Sequence, residues 1–306
     1  MDRGPIFIGG LERSGKSLMR LSLSAHPNLA MTRRTYMWTR FYNRYGNLSQ
    51  PEHFERCLAA MLRHKPMLVL KPDPERIRRE FWQGEPTYAR LFALFHEHYA
   101  EQLSRPRWGD QLGLVERYAD PIFAAYPTAK IVHMIRDPRD RYEAAIPPAQ
   151  RRSGKVGGAT GWWLHSIGLA RRNQRRYPDR YKIVRYETLV GQREQTLREV
   201  CAFLDEAFVP AMVTLEGATR FESADDDVAG DAPDLGTTPA DSSGGTRKAM
   251  SQREVAFMQA CAGPTMLAFG YGPRPVRFSL GERLLFYAVD FPANLAAMVA
   301  SRTLNE

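Results

Sequence analysis

The apolar residues of this chain fall in short unbroken runs, separated by longer stretches of helical periodicity. Four runs read as buried strands: Ile6–Ile8, Met67–Leu70, Ile131–Ile135 and Tyr181–Val184. Helical spacing covers Pro86–Leu103, Tyr118–Tyr126, Gly161–Arg176, Gln192–Leu204 and Ser251–Phe269. The last of these stops at Gly270, with Gly272-Pro273 just beyond. A further helix starts at Lys16, carries Leu18, Leu21 and Ala25 on one face, and ends at His26-Pro27-Asn28. Alternating strands and helices predict an α/β fold: a central parallel sheet flanked by helices, with ligands at the carboxyl ends of the strands. No internal repeat is visible, and residues 1–306 read as a single domain.

Two segments depart from this pattern. Residues 223–245 are rich in Asp, Gly, Pro, Thr and Ser and almost free of bulky apolar residues. They read as a flexible acidic insertion, either a passive surface loop or a lid over a ligand. Residues 278–306 read as a C-terminal helical extension. Its apolar stretches, Leu284–Val289 and Leu295–Ala300, are interrupted by Asp290 and Pro292. Each is shorter than the roughly 20 apolar residues that span a bilayer. A packed or interfacial helix is expected, with peripheral membrane contact through this segment.

Charge sharpens the picture. The 306 residues carry a net charge of +9. Seven acids (Glu222, Asp225, Asp226, Asp227, Asp231, Asp234 and Asp241) lie in a stretch with no Lys or Arg, so the remainder is more basic still. Such a body attracts anions. Cys57, Cys201 and Cys261 are too few and too scattered for a disulfide framework or a zinc site. The first residues enter a strand without a charged-then-apolar leader. A reducing cytoplasm is the expected compartment.

Directly after Ile6–Ile8 comes Gly10-Leu-Glu-Arg-Ser-Gly-Lys-Ser17, which fits the phosphate-binding loop pattern residue for residue. Glycines let the chain turn tightly, and backbone N–H groups converge at a helix N-terminus, where an anion is favoured. A second basic strand end is Lys130-Ile-Val-His-Met-Ile-Arg136-Asp137-Pro138-Arg139-Asp140. Asp137 suits a helix cap and Pro138 its first turn. Arg136 and Arg139 are there either to take a phosphate in fork geometry or to pair with Asp137 or Asp140. These motifs point to a nucleotide, and nucleic acid is not expected as a partner.

Together the motifs resemble those of the sulfotransferases that use 3′-phosphoadenosine 5′-phosphosulfate (PAPS). The resemblance rests on Gly9–Arg20 with His26-Pro27-Asn28, on Trp108-Gly109-Asp110, on Tyr126–Asp140, and on Val184-Arg-Tyr-Glu-Thr-Leu189. It implies a P-loop NTPase-like sulfotransferase fold. It also implies that Arg13, Ser14, Gly15, Lys16 and Ser17 hold the 5′-phosphosulfate, that Arg136 holds the 3′-phosphate, and that Tyr186 borders the adenine. Lys248 would be a further cation on the nucleotide. The chain departs from the family pattern in four places. Lys16 stands where threonine is usual, Ala144 where a serine is expected, and Gln111 where lysine follows Gly-Asp. Met31–Tyr36 lacks the acidic residue that acts as base in many relatives.

The expected reaction moves a sulfuryl group from PAPS to a hydroxyl or amine, on a glycan, a lipid or a small alcohol. Arg13 and Lys16 would neutralise charge as the bridging oxygen leaves. Glu12 and Asp110 are the candidate bases by location. No metal is expected. The alternatives are a nucleotide-dependent kinase or NTPase, favoured by Lys16-Ser17, and a non-catalytic nucleotide-binding relative. The residues fix neither the acceptor nor the oligomeric state.

Overall fold

Ile6, Phe7 and Ile8 are all buried because their strand, β1 (Ile6–Gly9), is the middle of a sheet covered on both faces. The computed structural model describes residues 3–151, 154–219 and 249–303. The sequence therefore leaves the acidic segment 223–245, as well as Lys248, outside the described residues.

The sheet has five parallel strands in the order β2-β3-β1-β4-β5. β1 leads into α1 (Lys16–Ser24) and then β2 (Leu29–Arg33). Helices α2 (Pro51–Leu62), α3 (Lys65–Leu68), α4 (Pro74–Phe81) and α5 (Tyr88–Gln102) precede β3 (Arg107–Gln111). Then follow α6 (Ala119–Ala125), β4 (Lys130–Ile135), α7 (Pro138–Ala145), α8 (Lys155–Arg176) and β5 (Tyr181–Arg185). Next come α9 (Tyr186–Gly191), α10 (Arg193–Leu204) and α11 (Ala211–Thr214), and after the undescribed segment α12 (Gln252–Ala268). The chain closes with α13 (Leu280–Leu285), a wide turn over Phe286–Asp290, and α14 (Phe291–Thr303).

Alternation along the strands builds two cores. Phe7, Trp108 and Ile131 face α5, meeting Phe92 and Phe95. Ile6, Ile8, Met31, Val132 and Val184 face α1 and α10, meeting Leu21, Leu197 and Leu204. Because β1 has β3 on one side and β4 on the other, its carboxyl end opens the crevice where ligands bind in sheets of this kind.

Three expectations are corrected. Met67–Leu70 is not a strand. Pro66 opens a single helical turn there, and Lys71, at φ 46°, ends it. The true inner neighbour of β1 is β3, Arg107-Trp-Gly-Asp-Gln111, whose polar residues hid it. Its Arg107 is buried and satisfied by the carbonyls of Gly4 and Leu204 and by Glu206 at 3.0 Å. β2 was likewise unforeseen. Helix α8 starts at Lys155, well before Gly161, and its early glycines have a packing reason. A Cβ on Gly157 would lie 1.9 Å from the Asn294 carbonyl oxygen, and one on Gly161 2.3 Å from Ser301 Oγ. The C-terminal helix sits in that furrow.

Candidate active site

The loop after β1 turns through two left-handed residues, Arg13 (φ 63°) and Gly15 (φ 91°). Ser14 ties the turn, its N–H and its hydroxyl both donating to the Leu11 carbonyl. Gly15 is the N-cap of α1 and no side chain caps that end. The first amides of the helix therefore remain available to an anion. Lys16 is buried at the helix start and Ser17 follows, half-buried.

Tyr186, at the end of β5, closes this loop from the side. A Cβ on Gly15 would lie 2.3 Å from its Cδ2, so only glycine fits. The Arg136 guanidinium carbon lies 4.5 Å from the centre of the same ring, and its Nη1 donates to the Arg13 carbonyl at 3.3 Å. Trp163 Nε1 in turn donates to the Arg136 carbonyl at 3.1 Å, fixing the strand end. Arg136 Nε is buried and has no partner. The structure thus brings Arg13, Ser14, Gly15, Arg136 and Tyr186 into one cluster.

Arg139 is not part of it, contrary to expectation. It is 3% exposed and turned inward. Its Nε and Nη2 grip the Asp137 carboxylate at 2.9 and 2.6 Å, Nη2 also donates to the Gly272 carbonyl, and Nη1 donates to Gln259. Of the two readings of this arginine, the structural pair with Asp137 is the one observed. Asp137 also caps α7 by accepting from the Arg139 amide, while its own N–H donates to Glu187 at 2.9 Å.

Arg141, which sequence reasoning did not single out, takes the open place. Residues two apart on a helix point about 200° from each other, so α7 sends Arg139 to the core and Arg141 to the cleft. Arg141 lines, with Ser14, Arg136 and Trp163, a crevice of only about 10 Å³, which a bound anion would have to widen. Its Nε is buried without a partner. Burial pushes the guanidinium down to about 10, with the charge of Glu12 opposing. A half-buried cation with a buried, unpartnered Nε is poised for an anion. Glu12 itself is exposed at the loop tip.

Sequence comparison decides the family. The profile of the sulfotransferase family matches residues 5–210. The chain belongs to this family.

A protein-tyrosine sulfotransferase of Drosophila melanogaster is 26% identical over 211 residues, which are 65% of this chain but 38% of that protein. The sulfotransferase domain of the Synechococcus PCC 7002 olefin synthase superposes with a TM-score of 0.49 at 21% identity, covering 85% of this chain and 96% of that one. A sulfotransferase from Mycobacterium avium gives a TM-score of 0.48 at 12% identity, covering 88% and 78% of the two chains.

Beneath the loop lies a buried polar network. The Tyr181 hydroxyl is 2.8 Å from His133 Nδ1, and Glu116 lies 3.9 Å from the same nitrogen. The Ser166 hydroxyl donates to Glu116. Burial lowers the proton affinity of His133, with Glu116 opposing and Lys16 reinforcing the shift. No local pattern signals this set, because its members come from four separate elements.

Asp110 is corrected too. Its carboxylate is 1% exposed and boxed in by Thr32 and Thr35, whose hydroxyls donate to its two oxygens. The His96 ring, stacked on Trp108 at 4.5 Å, closes the box. Burial pushes Asp110 up to about 7 and His96 down to about 3. Enclosed and hydrogen-bonded at both oxygens, Asp110 holds Thr32 and Thr35 in place and opens onto no cleft in this structure. The aromatic segment after β2 splits in the same way. Trp38 and Phe41 are core, while Tyr36, Thr39, Arg40, Arg44 and His64 line a surface cavity of about 360 Å³.

Proposed function

We propose that this sulfotransferase-family chain moves a sulfuryl group from PAPS to a hydroxyl or amine of an acceptor. The observation that carries the reading is the gathering of two anion sites around the ring of Tyr186: the uncapped start of α1, and the Arg136 guanidinium with its unpartnered Nε. PAPS carries phosphate at both its 3′ and 5′ ends, which suits two such sites.

The residues fit the group. The amides of Gly15, Lys16 and Ser17, with the Lys16 ammonium, would hold the 5′ end, on the turn that Ser14 ties. Arg136 and Arg141 would hold the 3′-phosphate. Ala144 lacks the hydroxyl that relatives carry, but Arg141 lies three residues earlier on the same helix face, and its guanidinium replaces that donor. When bound, PAPS supplies a sulfuryl group joined to a phosphate that serves as leaving group. Arg13, Lys16 and the α1 N-terminus stabilise negative charge at the loop. Glu12, exposed at the loop tip beside the charge of Arg141, is the carboxylate available to take the acceptor's proton. The cavity of Arg40 and Arg44 at the end of β2 would favour an acceptor that bears negative charge.

Calorimetric titration with adenosine 3′,5′-bisphosphate, set against ATP–magnesium, tests the donor. The bisphosphate is expected to bind and ATP–magnesium to bind at least tenfold more weakly, because only the former presents a 3′-phosphate to Arg136. Equal or tighter binding of ATP–magnesium would favour a kinase or NTPase instead. That reading would need a metal-holding carboxylate beside β1, and Asp110, which has the right strand, is enclosed.

A further inference from the structure

Among the described residues, the C-terminal helix carries the most exposed apolar surface. Leu280, Leu284, Leu285, Tyr287, Val289, Leu295 and Val299 all face solvent, Leu284 at 73%, Tyr287 at 66% and Val299 at 54% exposure. From Leu284 to Ala300 the sequence holds a single charged residue, Asp290, and Arg253 neutralises it at 2.6 Å. The result is an apolar ridge about 25 Å long. Patches of this continuity mark interaction sites.

Among the described residues, Leu280–Ser301 is long and apolar enough to cross a bilayer, but it is docked along one side. Its inner face is spent on the protein: Asn294 and Met298 are buried in the furrow of α8, the Asn294 side chain accepts from the Gly157 amide, and Phe286 packs with Tyr142 and Val156. A helix with one face docked and the other apolar lies along a surface.

The direction of the helix is informative. Gly157 meets Asn294 and Gly161 meets Met298, so α14 runs parallel to α8. α8 feeds β5 and so begins at the carboxyl ends of the strands. Residues 280–290 therefore stand at the end of the sheet where the phosphate loop opens. The exposed charges flanking this ridge are two cations, Arg277 and Arg283, and one anion, Glu282, which Ser279 holds in a capping box, so the flank is cationic on balance. A continuous exposed apolar ridge with a net cationic flank matches an apolar phase with an anionic surface.

We propose that the C-terminal helix seats this protein on an anionic lipid surface, with Leu284, Leu285, Tyr287 and Val289 entering the headgroup–acyl boundary and the mouth of the nucleotide cleft facing the same surface. The seating itself stands apart from the proposed reaction, and its test does not read turnover.

The full chain is floated with vesicles of phosphatidylcholine alone or mixed with phosphatidylglycerol. The protein should rise with the mixed vesicles, less so with neutral ones, and less again in high salt. The double variant L284E/V289E should lose at least roughly tenfold in partitioning. R277Q/R283Q should lose the preference for phosphatidylglycerol while keeping residual binding. Unchanged circular dichroism and thermal melting certify that the variants are folded. Failure of the native protein to float with either vesicle, or flotation undiminished in L284E/V289E, overturns the proposal. So does sedimentation that shows a dimer which L284E/V289E dissociates in the absence of lipid, since a second copy would then own the ridge.

Discussion

The Arg136 guanidinium rests 4.5 Å from the centre of the Tyr186 ring, on the tyrosine that also forbids any side chain at Gly15. One aromatic ring therefore sets the distance between the loop after β1 and the end of β4. An arginine held by a ring and by the Arg13 carbonyl keeps its remaining donors in a fixed fork, and lysine cannot reproduce that. Arg136→Ala is expected to weaken binding of adenosine 3′,5′-bisphosphate by about ten- to a hundredfold, as losing a charge-assisted hydrogen bond of roughly 1.5–3 kcal/mol requires. Arg136→Lys should recover only a small part. Calorimetric Kd values check both.

Gly15 meets the ring so closely that even a methyl group must displace it. Gly15→Ala combines this clash with a left-handed backbone, and each acts against the native loop. The expected result is a loss of about 1–3 kcal/mol in stability by denaturant unfolding. Nucleotide binding should fall in parallel, whereas Ser17→Ala should leave stability within about 0.5 kcal/mol.

Arg139 and Arg141 should fail in opposite ways. Arg139→Gln strips the bidentate partner from Asp137 and breaks contacts to Gln259 and Gly272, so it should lower the melting temperature by several degrees. Arg141→Gln removes a half-buried cation whose Nε is buried and finds no acceptor in the protein. It should leave the melting temperature unchanged or raise it, and weaken bisphosphate binding by roughly tenfold or more. Thermal melting and calorimetry on the two variants separate a structural from a ligand-facing arginine.

Asp110 gives the fold a pH dependence. Its folded-state carboxyl is raised to about 7, against about 3.9 for an unfolded aspartate. Between those values the folded chain holds a proton that the unfolded chain has released. Its contribution to stability is therefore complete below about pH 4 and is lost as pH rises through 7. Asp110→Asn should flatten the dependence of Tm on pH across about pH 5 to pH 8 and raise Tm at the alkaline end by about 2 °C or more. A melting series at several pH values checks the slope.

How far the chain announced itself depends on where each residue's role is decided. β1, β4 and β5, the loop Gly10–Ser17 and the cap at Asp137 are local matters of apolar runs, glycine and capping, and they were legible. β3 was not, because Arg107, Asp110 and Gln111 look soluble until Glu206, Thr32 and Thr35 arrive from distant elements to satisfy them. The same holds for Arg139 against Arg141. Both sit in one motif, and only the phase of α7 relative to the sheet assigns one to Asp137 and the other to the cleft. The likeness at Lys16 to a kinase loop was visible at once, whereas the His133–Tyr181–Glu116 set below it has no sequence signature.

Helix α8 offers Gly157 and Gly161 to the C-terminal helix and, less than a turn further on, Trp163 to the carbonyl of Arg136. Glycines have nothing with which to refill a vacated furrow. The terminal segment thus acts as a splint on α8, and trimming it away would bare the outer furrow of the one helix whose opposite face steadies the arginine.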